Sequence, residues 1–192
     1  MAWNLERNNL HWNYVLSIES DLVRISRFVE FHADNMHTFS IELARTLLAI
    51  GAKVEVIGKL IAHAHGECPK NIVDIREALM HQHPSISTAE VLLPRYGLTL
   101  IPWSSWVLGQ SPDWWRAYNS LKHDYKDAFS QASLGNSLHA LGGLLILVLL
   151  YCRISGVDAL MPATELLYPP SSFGAGAMTP DGRVIDLRDT PH

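Results

Sequence analysis

The feature that most constrains this chain is the run Ala140–Cys152, ALGGLLILVLLYC, 13 residues without a charge. A helix that is apolar around its whole circumference has to be enclosed, by other protein elements or by lipid. A bilayer asks for about 20 such residues, so this run predicts a helix enclosed by protein. It extends over about Ala132 to Ile154 and is stopped by Gly156. Gly135, Gly142 and Gly143 thin it locally, which would let neighbouring elements come close. The rest of the chain must then supply amphipathic cover. With 192 residues, 48% of them hydrophobic, there is enough apolar material for one substantial core.

Helical spacing marks the cover. Val15, Ile18, Leu22, Ile25 and Val29 recur at steps of three and four, predicting a first helix from Tyr14 to about His32. Thr38 or Ser40 can cap a second, in which Leu43, Leu47, Ile50, Val54, Ile57 and Ile61 form the buried side as far as His65. At some 26 residues it would be about 40 Å long, and Gly51 near its middle would permit a close approach or a slight kink. Asn71 caps a shorter helix that ends before Pro84. Between Ser85 and Leu108, Pro94, Gly97 and Pro102 exclude a long helix. That stretch reads as a belt or a short strand pair, anchored by Leu93, Tyr96, Leu98, Leu100 and Trp103. The expected fold class is all-α: a helical bundle of about four to five helices with an irregular or short-strand insertion around 85–108 and a C-terminal extended tail or hairpin. The expected organisation is an N-terminal arm over 1–13 that docks through Trp3 and Trp12, a helical domain over 14–160 and a C-terminal extension over 161–192. In the extension, AMTPDGRVIDL predicts a hairpin with Asp181 and Gly182 in its turn.

In the stretch Ser111–Phe129, SPDWWRAYNSLKHDYKDAF, a strong helix signal coincides with a candidate catalytic constellation. Ser111 can cap a helix, Pro112 suits the first helical position, and Asp113 sets negative charge at the positive end of the dipole. At 100° per residue, Trp114, Trp115, Tyr118, Leu121, Tyr125 and Phe129 gather on one face, while Arg116, Asn119, His123 and Asp127 line the other. Lys122 falls on the apolar side and is expected to snorkel along the edge of the core. Read blandly, the polar line is a solvated face with His123 paired to Asp127 one turn on. A weaker alternative is a metal site at His63, His65 and Cys68, with His81 and His83 further along; imidazole and thiolate suit zinc, but the spacing matches no strong motif. No other cofactor is implied.

The segments TFSIELARTLLAIGAKVEVIGKLI (38–61), WWRAYNSLKHDY (114–125) and FSQASLGNSLHALGGLLILVLLYC (129–152) together resemble the HEPN superfamily of small helical nucleotide- and RNA-handling domains. The resemblance covers about two thirds of the chain. Ribonuclease members carry an Arg, usually followed by a polar residue, then a His on the same helix with four to six residues between Arg and His, and they dimerise to build one composite site. It implies Arg116 and His123 as catalytic residues, with Asn119 in the polar role and Tyr118, Lys122 and Asp127 in support. Six residues separate Arg116 from His123, the outer limit of that spacing, and Ala117 stands where the polar residue is usual. Aligned in the shortest form of the motif, the Arg position falls on Tyr118. Two alternatives follow: a stretched motif that keeps its Arg, or a member that has lost cleavage.

Metal-independent RNA cleavage needs a base for the ribose 2′-OH, an acid for the leaving 5′-oxygen and positive charge at the phosphorus. His123 could move protons near neutral pH and Arg116 could grip phosphate oxygens. One chain offers one such His, so the resemblance implies a homodimer. The expectation is a metal-independent endoribonuclease of HEPN type, a toxin or phage-defence effector acting on RNA. The alternative is a non-catalytic helical module that binds a nucleotide or a regulatory protein partner. A net charge of −4 and an isoelectric point near 6.2 exclude a strongly basic nucleic-acid binder. Two cysteines, Cys68 and Cys152, make no disulfide framework, and no basic segment leads into an apolar run at the start. The expected setting is the cytoplasm, without a membrane partner.

Overall fold

A computed structural model describes residues 9–179 and 182–188. Five helices carry the fold: α1 (Asn9–Ile25), α2 (Ile41–Ala64), α3 (Ile72–Gln82), α4 (Asp113–His123) and α5 (Leu134–Ile154). Ser133 opens α5, its hydroxyl accepting the Asn136 N–H, and every residue from Ala140 to Leu150 is buried. By length and hydropathy α5 could cross a membrane, but 78% of its apolar window is covered by the rest of the chain. The helix is enclosed by protein because α2, α1 and α4 all pack on it.

Ser40 caps α2 by accepting the Leu43 N–H, and Asn71 caps α3 through Val73 and Asp74. In each case a side-chain oxygen satisfies first-turn donors the helix leaves unpaired. Gly51 is where α2 meets α4. A Cβ there would stand 2.3 Å from the Tyr118 ring, so the absent side chain allows the buried tyrosine to lie across the helix. Gly143 on α5 likewise leaves room for Trp103 and Trp114.

The chain is mainly helical but not purely so, because two small antiparallel sheets complete it. β1 (Val91–Leu93) pairs with β2 (Leu98–Leu100) around a turn closed by Gly97 in the left-handed region. This strand pair lies within the belt, and Leu93, Leu100 and Trp103 are its buried anchors. β3 (Ala159–Leu160), β4 (Ala175–Thr179) and β5 (Gly182–Asp186) form a second sheet in the order β3-β5-β4. The expected hairpin is β4 and β5. Its turn position Asp181 lies outside the described residues, and Gly182 opens β5 opposite Thr179.

Three local expectations are corrected. The first helix begins by Asn9 and ends at Ile25, so the described end of the arm is helical. Trp12 is wholly buried there and donates to the Pro162 carbonyl at 2.9 Å; Trp3 lies outside the described residues. After Ile25 the Ser26 hydroxyl bonds the Val23 carbonyl, and the chain turns, leaving Val29 beyond the helix. The Ser111–Phe129 helix stops at His123. Asp124 adopts φ −142°, ψ 81°, its carboxylate takes the Asp127 N–H and its carbonyl the Ala128 N–H. An aspartate side chain that competes for the backbone in this way ends the helix. The residues after it turn through a short 3-10 stretch at Phe129–Gln131.

The C-terminal segment is bound into the core by Glu19 on α1. This buried carboxylate accepts the N–H groups of Glu165, Leu166 and Leu167, each at 2.9 Å. Burial pushes its pKa above the ordinary value, and the three backbone donors oppose that shift.

Candidate functional site

α4 divides cleanly. Trp114, Trp115, Tyr118 and Leu121 are buried, each no more than 2% exposed, whereas Arg116 and His123 are exposed and Asn119 is half-buried. His123 lies seven positions beyond Arg116, about 10 Å along the helix axis, with Asn119 between them. The polar side is therefore held on a rigid base: Trp114 donates to the Pro102 carbonyl at 2.9 Å, and the Trp115 ring packs on Tyr118.

The start of α4 differs from the expected cap. Pro112, with ψ 153°, is the capping residue, and its side chain makes no capping bond. Ser111 serves through its backbone, its carbonyl accepting a bond from the Arg116 guanidinium at 2.8 Å. The same guanidinium donates to the Asp113 carboxylate. Arg116 is thus folded back on the first turn of its own helix. The sequence holds a signal for this pair, since Asp113 and Arg116 stand three residues apart.

Around His123 the site is a groove of about 440 Å³ that includes Asn119, His123, Asp124 and Asp127. Asp127 reaches this groove from the turn after the helix, not from the next helical turn. Among the described residues no ion pair joins it to His123. Lys122 runs over the Tyr118 ring, its ammonium 5.4 Å from the ring centre and 3.7 Å from the Glu55 carboxylate of α2. Hydrogen bonding to Tyr118, and then the Glu55 charge, hold that ammonium above the usual lysine range. Tyr118 faces the core against Gly51, with Lys122 over its ring.

Beyond the end of α4, three aromatic rings contact one another in a row. Tyr125 lies 5.5 Å from Phe129 between ring centres, and Phe129 5.7 Å from Phe39. Phe39 and Tyr125 are about half exposed. Sequence periodicity sets Tyr125 and Phe129 in the helix core; after the turn at Asp124, Tyr125 is exposed and Phe129 packs half-buried against the core.

The alternative metal site does not assemble. His65 Nε2 lies 2.9 Å from His83 Nε2, which joins the end of α2 to the end of α3. Among the described residues no three His, Cys, Asp or Glu side chains gather as a metal ion requires. α3 returns His83 to His65, but among the described residues no third ligand joins the two imidazoles. Cys68 is exposed and Cys152 buried, its thiol pushed up to about 12 by burial.

No known family model matches the chain, and neither the curated proteins nor the solved structures hold a significant match to it.

Proposed function

We propose that the protein is a metal-independent endoribonuclease of HEPN type acting as a homodimer in the cytoplasm, in the manner of a toxin or phage-defence effector. The observation that carries this reading is the polar side of α4: Arg116, Asn119 and His123 share it, and its opposite side is locked into the core. Fixed presentation of a proton-transfer group and a phosphate-binding group is what such catalysis requires. In the reaction His123 takes the ribose 2′-hydroxyl proton as oxygen attacks phosphorus. The bond to the 5′-oxygen breaks, and a second acid, the partner chain's histidine, returns a proton to that oxygen. Arg116 steadies the charge on the phosphate oxygens. Asn119 orients the imidazole or the phosphate.

A specific observation favours the second reading, a non-catalytic module that binds a nucleotide or a regulatory protein. Arg116 is engaged by Asp113 and Ser111, and Asp124 and Asp127 bring negative charge beside His123. Cleavage of total RNA in EDTA, compared with folded Arg116→Ala and His123→Ala proteins, separates the two. Loss of cleavage in both variants supports the nuclease; intact RNA with folded, dimeric wild-type protein supports the binding module.

A further inference from the structure

β4 is the last strand of its sheet, so one side of it meets β5 and the other meets no strand among the described residues. The bonds on the far side of β5 show which backbone groups that open side carries. Leu187 donates to the Asp158 carbonyl at 3.0 Å, and Ala163 donates to the Arg183 carbonyl at 2.9 Å. Backbone groups alternate in direction along a strand, so Arg183, Ile185 and Leu187 turn toward β3 while Gly182, Val184 and Asp186 turn toward β4. Their partners Thr179, Ala177 and Ala175 turn inward to meet them. Gly176 and Met178, opposite Ile185 and Arg183, therefore turn N–H and carbonyl outward. Among the described residues nothing bonds to these outward groups. A Cβ at Gly176 would meet no atom within 4 Å beyond its chain neighbours.

An unpaired edge of this kind is a template for another strand, and proteins usually blunt one with lysine, proline, a bulge or brevity. The opposite end of this sheet is blunted, since β3 has two residues. In the other sheet the outer side of β1 is taken, Leu92 donating to the Tyr168 carbonyl at 3.1 Å and Tyr168 to the Leu92 carbonyl at 2.8 Å. β4 has none of these devices. Its five residues, AGAMT, hold no charge and no proline, and their pairing with β5 runs unbroken from Ala175 to Thr179.

We infer that the outer edge of β4 pairs with the same edge of a second copy of this chain. Antiparallel pairing about a two-fold axis at Ala177 sets Gly176 opposite Met178 of the partner subunit, and Met178 opposite the partner's Gly176. Each of these pairs exchanges two backbone hydrogen bonds, which satisfies every outward group. The two Ala177 residues meet as a non-hydrogen-bonded pair, the closest approach in such a ladder, which small side chains permit. A second copy is the occupant because the edge is complementary to itself in this register and brings no like charges face to face. Two five-residue edges bury less than a stable interface needs, so the dimer forms at high concentration and dissociates on dilution. This contact is separate from the composite-site dimer of the proposed function and does not depend on RNA cleavage.

The test is hydrogen exchange of the full chain, followed by NMR at the backbone amides of β4 on serial dilution. The Gly176 and Met178 amides should exchange about tenfold more slowly in the concentrated sample than in the dilute one, while the inward Ala177 amide stays protected in both. Ala177→Lys sets two like charges opposite each other across the axis and should weaken the association about tenfold at low salt, and less in about 1 M salt. Gly176→Pro removes two of the four bonds at an edge position where proline is tolerated, and should abolish the concentration dependence at Met178. Both variants should keep the wild-type unfolding transition in dilute samples. Exchange at Gly176 and Met178 that is independent of concentration, as for an edge that awaits a strand of another protein, would overturn the inference. Concentration-dependent protection of Met178 that persists unchanged in both folded variants would do the same.

Discussion

α5 and α4 pack in the same core, yet one is enclosed and the other is divided. Every residue of α5 from Ala140 to Leu150 is buried, so each change there is felt through packing. On α4 the tryptophans and Tyr118 meet the core while Arg116 and His123 face outward. The difference teaches where side chains can be altered without altering the fold: substitutions on the outer side of α4 should change the proposed activity alone, and those on α5 stability alone.

The largest expected effect is on the enclosed helix. Leu145→Ala removes a fully buried side chain and should cost about 2–5 kcal/mol in denaturant unfolding, since the surrounding helices can collapse only partly into the space. A milder loss would show that the enclosure is looser than the packing implies. Next comes the point where the two α4 sides meet the rest of the fold. Gly51→Ala improves helix propensity by about 1 kcal/mol, but the Tyr118 ring occupies the place of the new Cβ. The net change should be destabilising by about 1–3 kcal/mol. Tyr118→Ala made in the same protein should reverse its sign, a coupling that a double-mutant cycle reads directly.

A smaller effect is expected at Glu19, the carboxylate that ties the C-terminal segment to α1. Because its folded pKa is raised by burial above the ordinary 4.5, the folded state holds its proton to higher pH than the unfolded state. Its contribution is therefore full below about pH 4.5 and falls as pH rises through the raised value. Glu19→Gln should remove that slope from the pH profile of stability and cost about 1 kcal/mol for the backbone bond an amide cannot accept. The smallest effect belongs to the outer side of α4. Arg116 and Asp113 form an exposed pair, so Arg116→Ala should shift unfolding by under about 1 kcal/mol. A larger shift would break the division between the two sides.

The enclosed helix was legible in the sequence because thirteen uncharged residues leave a chain few choices. The caps Ser40 and Asn71 were legible because their oxygens act locally. The extent of the hub helix was not. Asp124 sits within a periodic pattern that continues to Phe129, and only the competition of its own side chain for the backbone ends the helix there. That one stop removed Asp127, Tyr125 and Phe129 from the helical face while leaving Arg116, Asn119 and His123 on it. Two tertiary features had no periodic signature. The bond of Trp12 to Pro162 and the hold of Glu19 on the 165–167 backbone join segments nearly 150 residues apart. The open edge of β4 is of the same kind, since the strand order β3-β5-β4 that leaves it unpaired arises only in the folded chain.

The most direct measurement is cleavage of total cellular RNA by the purified protein in EDTA, beside His123→Ala protein with an unchanged unfolding transition. The account predicts fragments from the wild type and intact RNA from the variant. Equal cleavage by both proteins, or intact RNA from a folded wild-type dimer, would contradict it.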